Sequence, residues 1–163
     1  MASGTIFDPL ALLRLTPTIS SSFSLWYCVD QYLFLANFTS PANRLKGSEI
    51  LPQYWRSFLR PGLTVIFSLY GTTIGSAIAN LYLGPPTSSS RLYTIGTCFA
   101  AAHFAFAPLV SGLIKAIVED ESKGQSWKSQ KKWLRIHAIR SVVVDLPGWV
   151  CFLMAALQSV TVV

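Results

Sequence analysis

The chain has 163 residues, of which 52% are hydrophobic and only 12% charged, where a soluble domain carries about 25% charged residues. That shortfall excludes an ordinary soluble globule, and the mean hydropathy of +0.46 excludes a disordered segment, which needs low hydrophobicity and high net charge. A formal charge of +6 would suit nucleic acid only if the basic groups shared a solvated face; the long uncharged stretches leave none, so the expected partner is a lipid bilayer.

The length suits a single integral membrane domain over 1–163. A bilayer core calls for about 20 predominantly apolar residues per helix, and four stretches meet that need. The first span is predicted at 18–38. Its apolar run is too long for a signal-peptide core, and Trp26, Asp30 and Gln31 sit inside it. A loop over 39–61 follows, then a second span at 62–83. Here Gly71, Gly75 and Ala79 form a small-residue ridge at four-residue spacing, a helix-packing signal. After a tight turn at Gly84, Pro85 and Pro86 the third span is predicted at 92–114, and beyond a charged loop over 115–135 the fourth at 136–160. The fold expected is an all-α membrane protein, a four-transmembrane-helix bundle.

The basic residues sort by side. Arg44, Lys46, Arg56, Arg60, Lys115, Lys123, Lys128, Lys131, Lys132, Arg135 and Arg140 flank the first and third loops, while only Arg14 and Arg91 fall on the opposite side. Positive-inside bias then makes both long loops cytosolic and both termini lumenal, in a multi-pass protein of the endoplasmic reticulum membrane. The sequon Asn37, Phe38, Thr39 falls at the cytosolic end of the first span, out of reach of the lumenal transferase. Asn37 should therefore carry no glycan; a mobility shift removed by endoglycosidase would reverse the topology.

Charged groups inside a span cost roughly 2.5 to 3.5 kcal/mol each on insertion scales and by default point to function. The spans contain Asp30, His103, His137, Arg140 and Asp145. At about 1.5 Å of rise per residue, Asp30 lies about 12 Å deep, Asp145 about 14 Å, Tyr70 about 12 Å and His103 roughly 17 Å. The two carboxylates can thus share one layer. Trp26, Asp30, Leu33 and Asn37 recur at spacings of four, three and four, which would turn Asp30 inward beside an aromatic wall. Arg140 and Asp145 lie about 140° apart on an ideal helix. Pro147, however, cannot donate to the carbonyl of Val143, so the helix should kink beside Asp145 and leave an acceptor free. Simpler roles exist for several groups: Arg140 can snorkel to the surface, His137 can be interfacial, His103 a satisfied core residue, and Glu119, Asp120 and Glu121 a solvated helix end. Tyr54, Trp55, Trp127 and Trp133 read as interfacial anchors. Cys28, Cys98 and Cys151 stand singly without metal-ligand spacing and read as apolar packing residues. No nucleophile elbow, Walker loop, dinucleotide fingerprint or zinc-protease motif occurs, so neither a metal nor a cofactor is expected.

The string Trp133, Leu134, Arg135, Ile136, His137, Ala138, Ile139, Arg140, followed by Asp145, Leu146, Pro147, Gly148, Trp149, resembles the W-x-x-x-H-x-x-R closing helix of the four-span family DUF1772, which includes the fungal anthrone oxygenases. In size, span number and intramembrane carboxylates the chain is also similar to the small membrane-bound epoxide hydrolases and cyclases of fungal polyketide pathways. Opening an epoxide needs an acid for the oxygen and a base for the attacking group, and two carboxylates in different surroundings can divide those roles. The leading expectation is a cofactor-independent enzyme of secondary-metabolite biosynthesis that opens, cyclises or rearranges an epoxide on a lipophilic polyketide. Asp30 and Asp145 would be the acid/base pair, which one is acid being open. Arg140, joined by Arg56, would hold one acid ionised, and His103 or Tyr70 would orient the substrate oxygen. Trp26, His137 and Trp149 complete the expected substrate contacts. The alternatives are an anthrone-oxygenase-like enzyme using dioxygen, with His103 or His137 as base and Arg140 steadying the enolate, and a non-enzymatic adaptor whose polar groups join helices. A homo-oligomer is compatible with each.

Overall fold

Asp8 sets the start of the first rod. Its carboxylate accepts from the Leu10 amide at 2.9 Å, with Pro9 at the first helical position, a start that satisfies an orphan donor and uses proline where no N–H is needed. The computed structural model describes residues 8–121 and 123–160; the chain termini, for which a lumenal side is expected, lie outside them. Helix α1 runs Pro9–Ala36, a single 3-10 turn covers Asn37–Thr39, and α2 runs Arg44–Tyr82. Helix α3, Thr87–Ala102, continues through a 3-10 turn at His103–Phe106 into α4, Ala107–Val118. Helix α5, Ser126–Arg140, continues through a π turn at Ser141–Asp145 into α6, Leu146–Val160. The described residues thus form four rods without strands.

Three of the rods, Arg44–Tyr82, Thr87–Val118 and Ser126–Ser159, are long and apolar enough to cross a membrane. The side chains are distributed as lipid would require. Phe23, Phe34, Phe67 and Val142 are exposed, whereas Ser20, Ser24, Gln31, Thr73 and Asn80 are buried. Along α1 the inward serines return their protons to backbone carbonyls one turn back: Ser20 to Thr16, Ser21 to Pro17 and Ser24 to Ser20, at 2.9, 2.6 and 3.1 Å. Polar side chains are thereby satisfied without water.

Several expected boundaries move. The first loop is largely helical: α2 has 39 residues, about 58 Å at standard rise, so it exceeds a bilayer core of about 30 Å, and Arg44, Lys46, Arg56 and Arg60 all fall in its first half. Pro52 and Pro61 lie inside it; each removes one backbone bond while the rest of the ladder continues. The third loop shrinks in the same way, to the segment between Val118 and Ser126. There Asp120 ties the connection by accepting from the Gly124 amide at 3.1 Å and the Ser126 hydroxyl at 2.9 Å, instead of standing free in solvent. The turn after α2 is as short as expected, and Gly84 takes φ +68°, the left-handed stop that suits glycine. The Gly71 and Gly75 ridge does not pack: a methyl group there would meet nothing within 4 Å. Helix α2 faces inward instead through Tyr70, Thr73, Ala77 and Asn80.

Close approach is used elsewhere. A Cβ at Gly96 would come within 2.7 Å of the Phe152 ring, which is only 1% exposed and cannot withdraw. Gly96→Ala should therefore separate α3 from α6 and cost about 1–3 kcal/mol, read as a lowered thermal midpoint in detergent; an unchanged midpoint would mean that the contact is slack. Two apolar clusters cap the bundle. Leu35, Leu51, Trp55, Ile117, Trp133 and Leu134 form one, and Tyr70, Ala77, Tyr93, Ala100, Phe152 and Ala155 the other.

Candidate active site

The polar groups meet around two helix irregularities, each just ahead of a proline. Pro108 cannot donate to the carbonyl of Phe104, and the rod tightens to 3-10 over His103–Phe106. Pro147 cannot donate to Val143, and the rod widens to a π turn over Ser141–Asp145. Both changes accommodate a missing N–H. The kink expected at Pro147 thus takes the form of an inserted residue. On an α-helix Arg140 and Asp145 would point apart; across the π turn Arg140 Nε reaches Asp145 Oδ2 at 3.2 Å.

Five more contacts complete the network. His103 Nδ1 lies 2.9 Å from Asp145 Oδ1. Arg140 Nη2 lies 2.9 Å from His137 Nδ1 and 3.5 Å from Cys28 Sγ. His137 Nε2 lies 3.0 Å from the Cys28 carbonyl oxygen, and the Cys28 thiol donates to Asp145 Oδ2 at 3.7 Å. Partner chemistry assigns the protons. Guanidinium only donates, so His137 Nδ1 must accept; a carbonyl only accepts, so His137 Nε2 must carry the hydrogen. His137 is fixed as one neutral tautomer with both nitrogens engaged. His103 donates through Nδ1 to the carboxylate, leaving Nε2 as the uncommitted ring nitrogen. One guanidinium and one carboxylate then cancel, the charge balance that a low-dielectric interior requires.

The rings are held as firmly. Tyr70 lies against His103 with centroids 3.9 Å apart, and Trp133 stacks on His137 at 4.6 Å and 14°. Trp55 meets Trp133 edge to face and donates to Gln130 Oε1 at 2.7 Å. Trp55 and Trp133 are buried structural members, not the interfacial anchors expected, because they pack into one end of the core beside His137.

A cavity of about 130 Å³ adjoins the network. Its polar floor is His103, Arg140 and Gln31, its roof Trp55 and Trp133, and its walls are apolar residues of α2 and α4. Leu63 and Phe67, at its edge, are exposed on the outer surface, so it opens sideways between rods. Comparable apolar cavities of about 150 Å³ hold benzene. This one can take a short reactive segment of a longer lipophilic molecule. Among the described residues no three His, Cys, Asp or Glu side chains converge as metal ligands.

His103, Arg140, Asp145, Tyr70 and His137 are therefore brought together, and His137 is 1% exposed rather than interfacial. The remaining expected site residues lie apart. Asp30 is partly exposed and joins no hydrogen bond or ion pair among the described residues. It stands about 200° around the helix from Cys28, and the inward stripe is Ser24, Cys28, Gln31 and Leu35. Trp26, on the same outward side, is 64% exposed. Their four-three-four spacing marks a lipid-facing stripe, not an aromatic wall around an acid. Arg56 is exposed and donates to the Val118 carbonyl at 2.8 Å, bracing α2 against the end of α4. Trp149 donates to Ser22 at 2.8 Å and borders a smaller cavity behind Asp145. Cys28 and Gln31 were not singled out from the sequence. Their signal is position: both share the inward face of α1 with the serines.

The chain is similar over nearly its whole length to three curated fungal proteins. It is 34% identical to a protein named as a probable epoxidase from Mollisia scopiformis, across 92% of this chain and 97% of the relative. It is 30% identical to a protein named as an epoxidase from an Acremonium species, across 93% and 96%. It is also 30% identical to a protein named as an epoxidase from Penicillium citrinum, across 92% and 96%. No family model matches the chain, and no solved structure resembles it significantly.

Proposed function

Because the chain belongs to the family of these small fungal epoxidases, we propose that it is a multi-pass enzyme of the endoplasmic reticulum membrane. In this reading it works in secondary-metabolite biosynthesis, at an epoxide carried by a lipophilic polyketide. The observation that carries the reading is the His103–Asp145 pair, 2.9 Å apart, with His103 on the floor of an apolar cavity open to the side. A substrate dissolved in the bilayer enters between α2 and α4, and its reactive segment comes to rest on His103 and Arg140. Four spans and lumenal termini complete the proposed topology, with α1 as the remaining span.

The geometry suits ring opening. His103 Nε2 takes the proton of an attacking water or substrate hydroxyl, and Asp145 stabilises the resulting imidazolium. The new carbon–oxygen bond forms as the epoxide carbon–oxygen bond breaks, and Arg140 donates to the departing alkoxide. His103 then returns the proton to that oxygen, so atoms and charge balance without a redox group. In this assignment the acid/base pair is His103 with Asp145, and Asp30 has no part.

The names of the relatives favour a second reading, epoxide formation. An alkene and dioxygen, with two electrons from an external reductant and two protons, would yield the epoxide and water. The same cavity would hold the alkene, and His103 would deliver a proton to the oxygen lost as water.

Membranes containing the chain should be given a lipophilic alkenyl polyketide and its epoxide separately, with ¹⁸O in water or in dioxygen. Anaerobic consumption of the epoxide supports opening, and label from dioxygen in a newly made epoxide supports formation. Recovery of both compounds unchanged, with and without added reductant, would overturn the proposal.

A further inference from the structure

Against other members of the network, Tyr70 and Asp145, lies a much smaller cavity, of about 20 Å³. Ser21, Ser24, Tyr70, Thr73 and Asp145 contribute polar side chains to its lining, and Phe152 and Val144 help to close it. Its size matches a single water, which needs roughly 10–15 Å³ by this kind of measure and two to four polar partners. The Tyr70 hydroxyl is buried there within electrostatic reach of the Asp145 carboxylate but without a hydrogen bond of ordinary geometry among the described residues, and the whole residue is 6% exposed.

Hydrogen bookkeeping identifies the ligand. Ser21 and Ser24 spend their protons on the carbonyls of Pro17 and Ser20, and Thr73, 2.7 Å from the Ser20 hydroxyl whose own proton goes to Thr16, spends its proton on Ser20. What these side chains can still offer the cavity is oxygen lone pairs. Asp145 offers the same, and the phenol of Tyr70 supplies a donor. A lining of acceptors with one donor suits a molecule with two hydrogens to give and lone pairs to receive. Dioxygen has no hydrogen to give and would leave the acceptors unmet.

We infer that this cavity is a binding site for one water molecule, held by Tyr70, Ser24 and Asp145, and that this water keeps the Asp145 carboxylate in its orientation toward His103. The positioning role rests on the acid/base reading above; the site itself does not. The two cavities have no lining residue in common. His103 returns its proton to the product oxygen within the step, so the water carries no proton of the reaction. Beyond the water, the Ser20 and Thr73 hydroxyls lie 2.7 Å apart and continue the polar path toward the start of α1.

Ser24→Val tests the site through the sign of its effect on thermal unfolding of the detergent-solubilised protein. It fills the space without removing His103, Arg140 or Asp145: if a water is bound the midpoint falls by roughly 2 to 4 °C as the water is expelled, and if the cavity is dry it rises. A rise would overturn the site. The positioning role is read separately, in turnover of the epoxide. Ser24→Val should lower kcat about tenfold with KM little changed. A falling midpoint with an unchanged kcat would leave the water structural and refute the positioning role. If the wild-type protein turns over no epoxide, the functional proposal fails while the unfolding data still decide the site.

Discussion

Asp145→Asn is expected to lower turnover by about 10²- to 10⁴-fold, the range associated with a general acid/base group, while the protein still accumulates in membranes. The amide is nearly isosteric but carries one acceptor oxygen where the carboxylate has two. In the wild type one oxygen faces His103 Nδ1 and the other faces Arg140 Nε, at 2.9 and 3.2 Å. With asparagine, one of those N–H groups must face an NH₂, and either His103 loses its orientation or Arg140 loses its partner. Turnover per mole of protein, normalised by immunoblot, is the measurement. Asp30→Asn gives the contrast: on the outward side of α1 its effect should stay within about twofold, as for a surface change. Full activity of Asp145→Asn would remove the acid/base assignment, and a loss confined to Asp30→Asn would restore the carboxylate singled out from the sequence.

Arg140→Ala should be the most destabilising single change in the network. Removing one partner of a buried ion pair leaves the other charge uncompensated and costs about 3–5 kcal/mol. Arg140 also donates to His137 and approaches Cys28, so α1, α5 and the π turn lose a common tie. Lysine should not restore it, because a single ammonium cannot reproduce the guanidinium fork that spans three partners. The double variant Arg140→Ala, Asp145→Asn is expected to recover part of the loss, since a neutral amide needs no counter-charge. Thermal unfolding of the two single variants and the double variant forms a mutant cycle. A strictly additive result would mean that the pair does not hold the carboxylate.

Much of the architecture was legible because bilayer chemistry writes it coarsely. Low charge, long apolar runs and two basic segments pointed to a helical membrane protein, and His103, Arg140 and Asp145 stood out as groups that an apolar span does not tolerate. The helix ends were harder. Charge at Arg44 to Arg60 and at Lys115 to Arg135 reads as loop, yet a helix projecting beyond the bilayer carries the same residues on solvated turns. Helical phase failed at Asp30, since both faces of α1 mix polar and apolar residues. The inward stripe of Ser20, Ser24, Cys28 and Gln31 looks no more buried, by composition, than the outward stripe of Trp26, Asp30 and Leu33. Cys28 was invisible as a site residue because its role depends on a neighbour 117 positions away. Arg140 and Asp145 looked mismatched for another reason: their angle was drawn on an α-helix, and Pro147 was the one sign that the helix is something else.

The π turn also changes what counts as a tolerated indel in chains of this kind. An arginine and an aspartate separated by four residues, with proline two places later, make a spacing that a search for α-helical ion pairs at three or four would pass over. Loss of any single residue between Arg140 and Asp145 would return the rod to ordinary helical winding with the two charges four apart, about 40° around the helix, so the pair would still meet. A one-residue gap in a pairwise alignment across this segment would therefore mark the loss of the π turn and not of the charge pair.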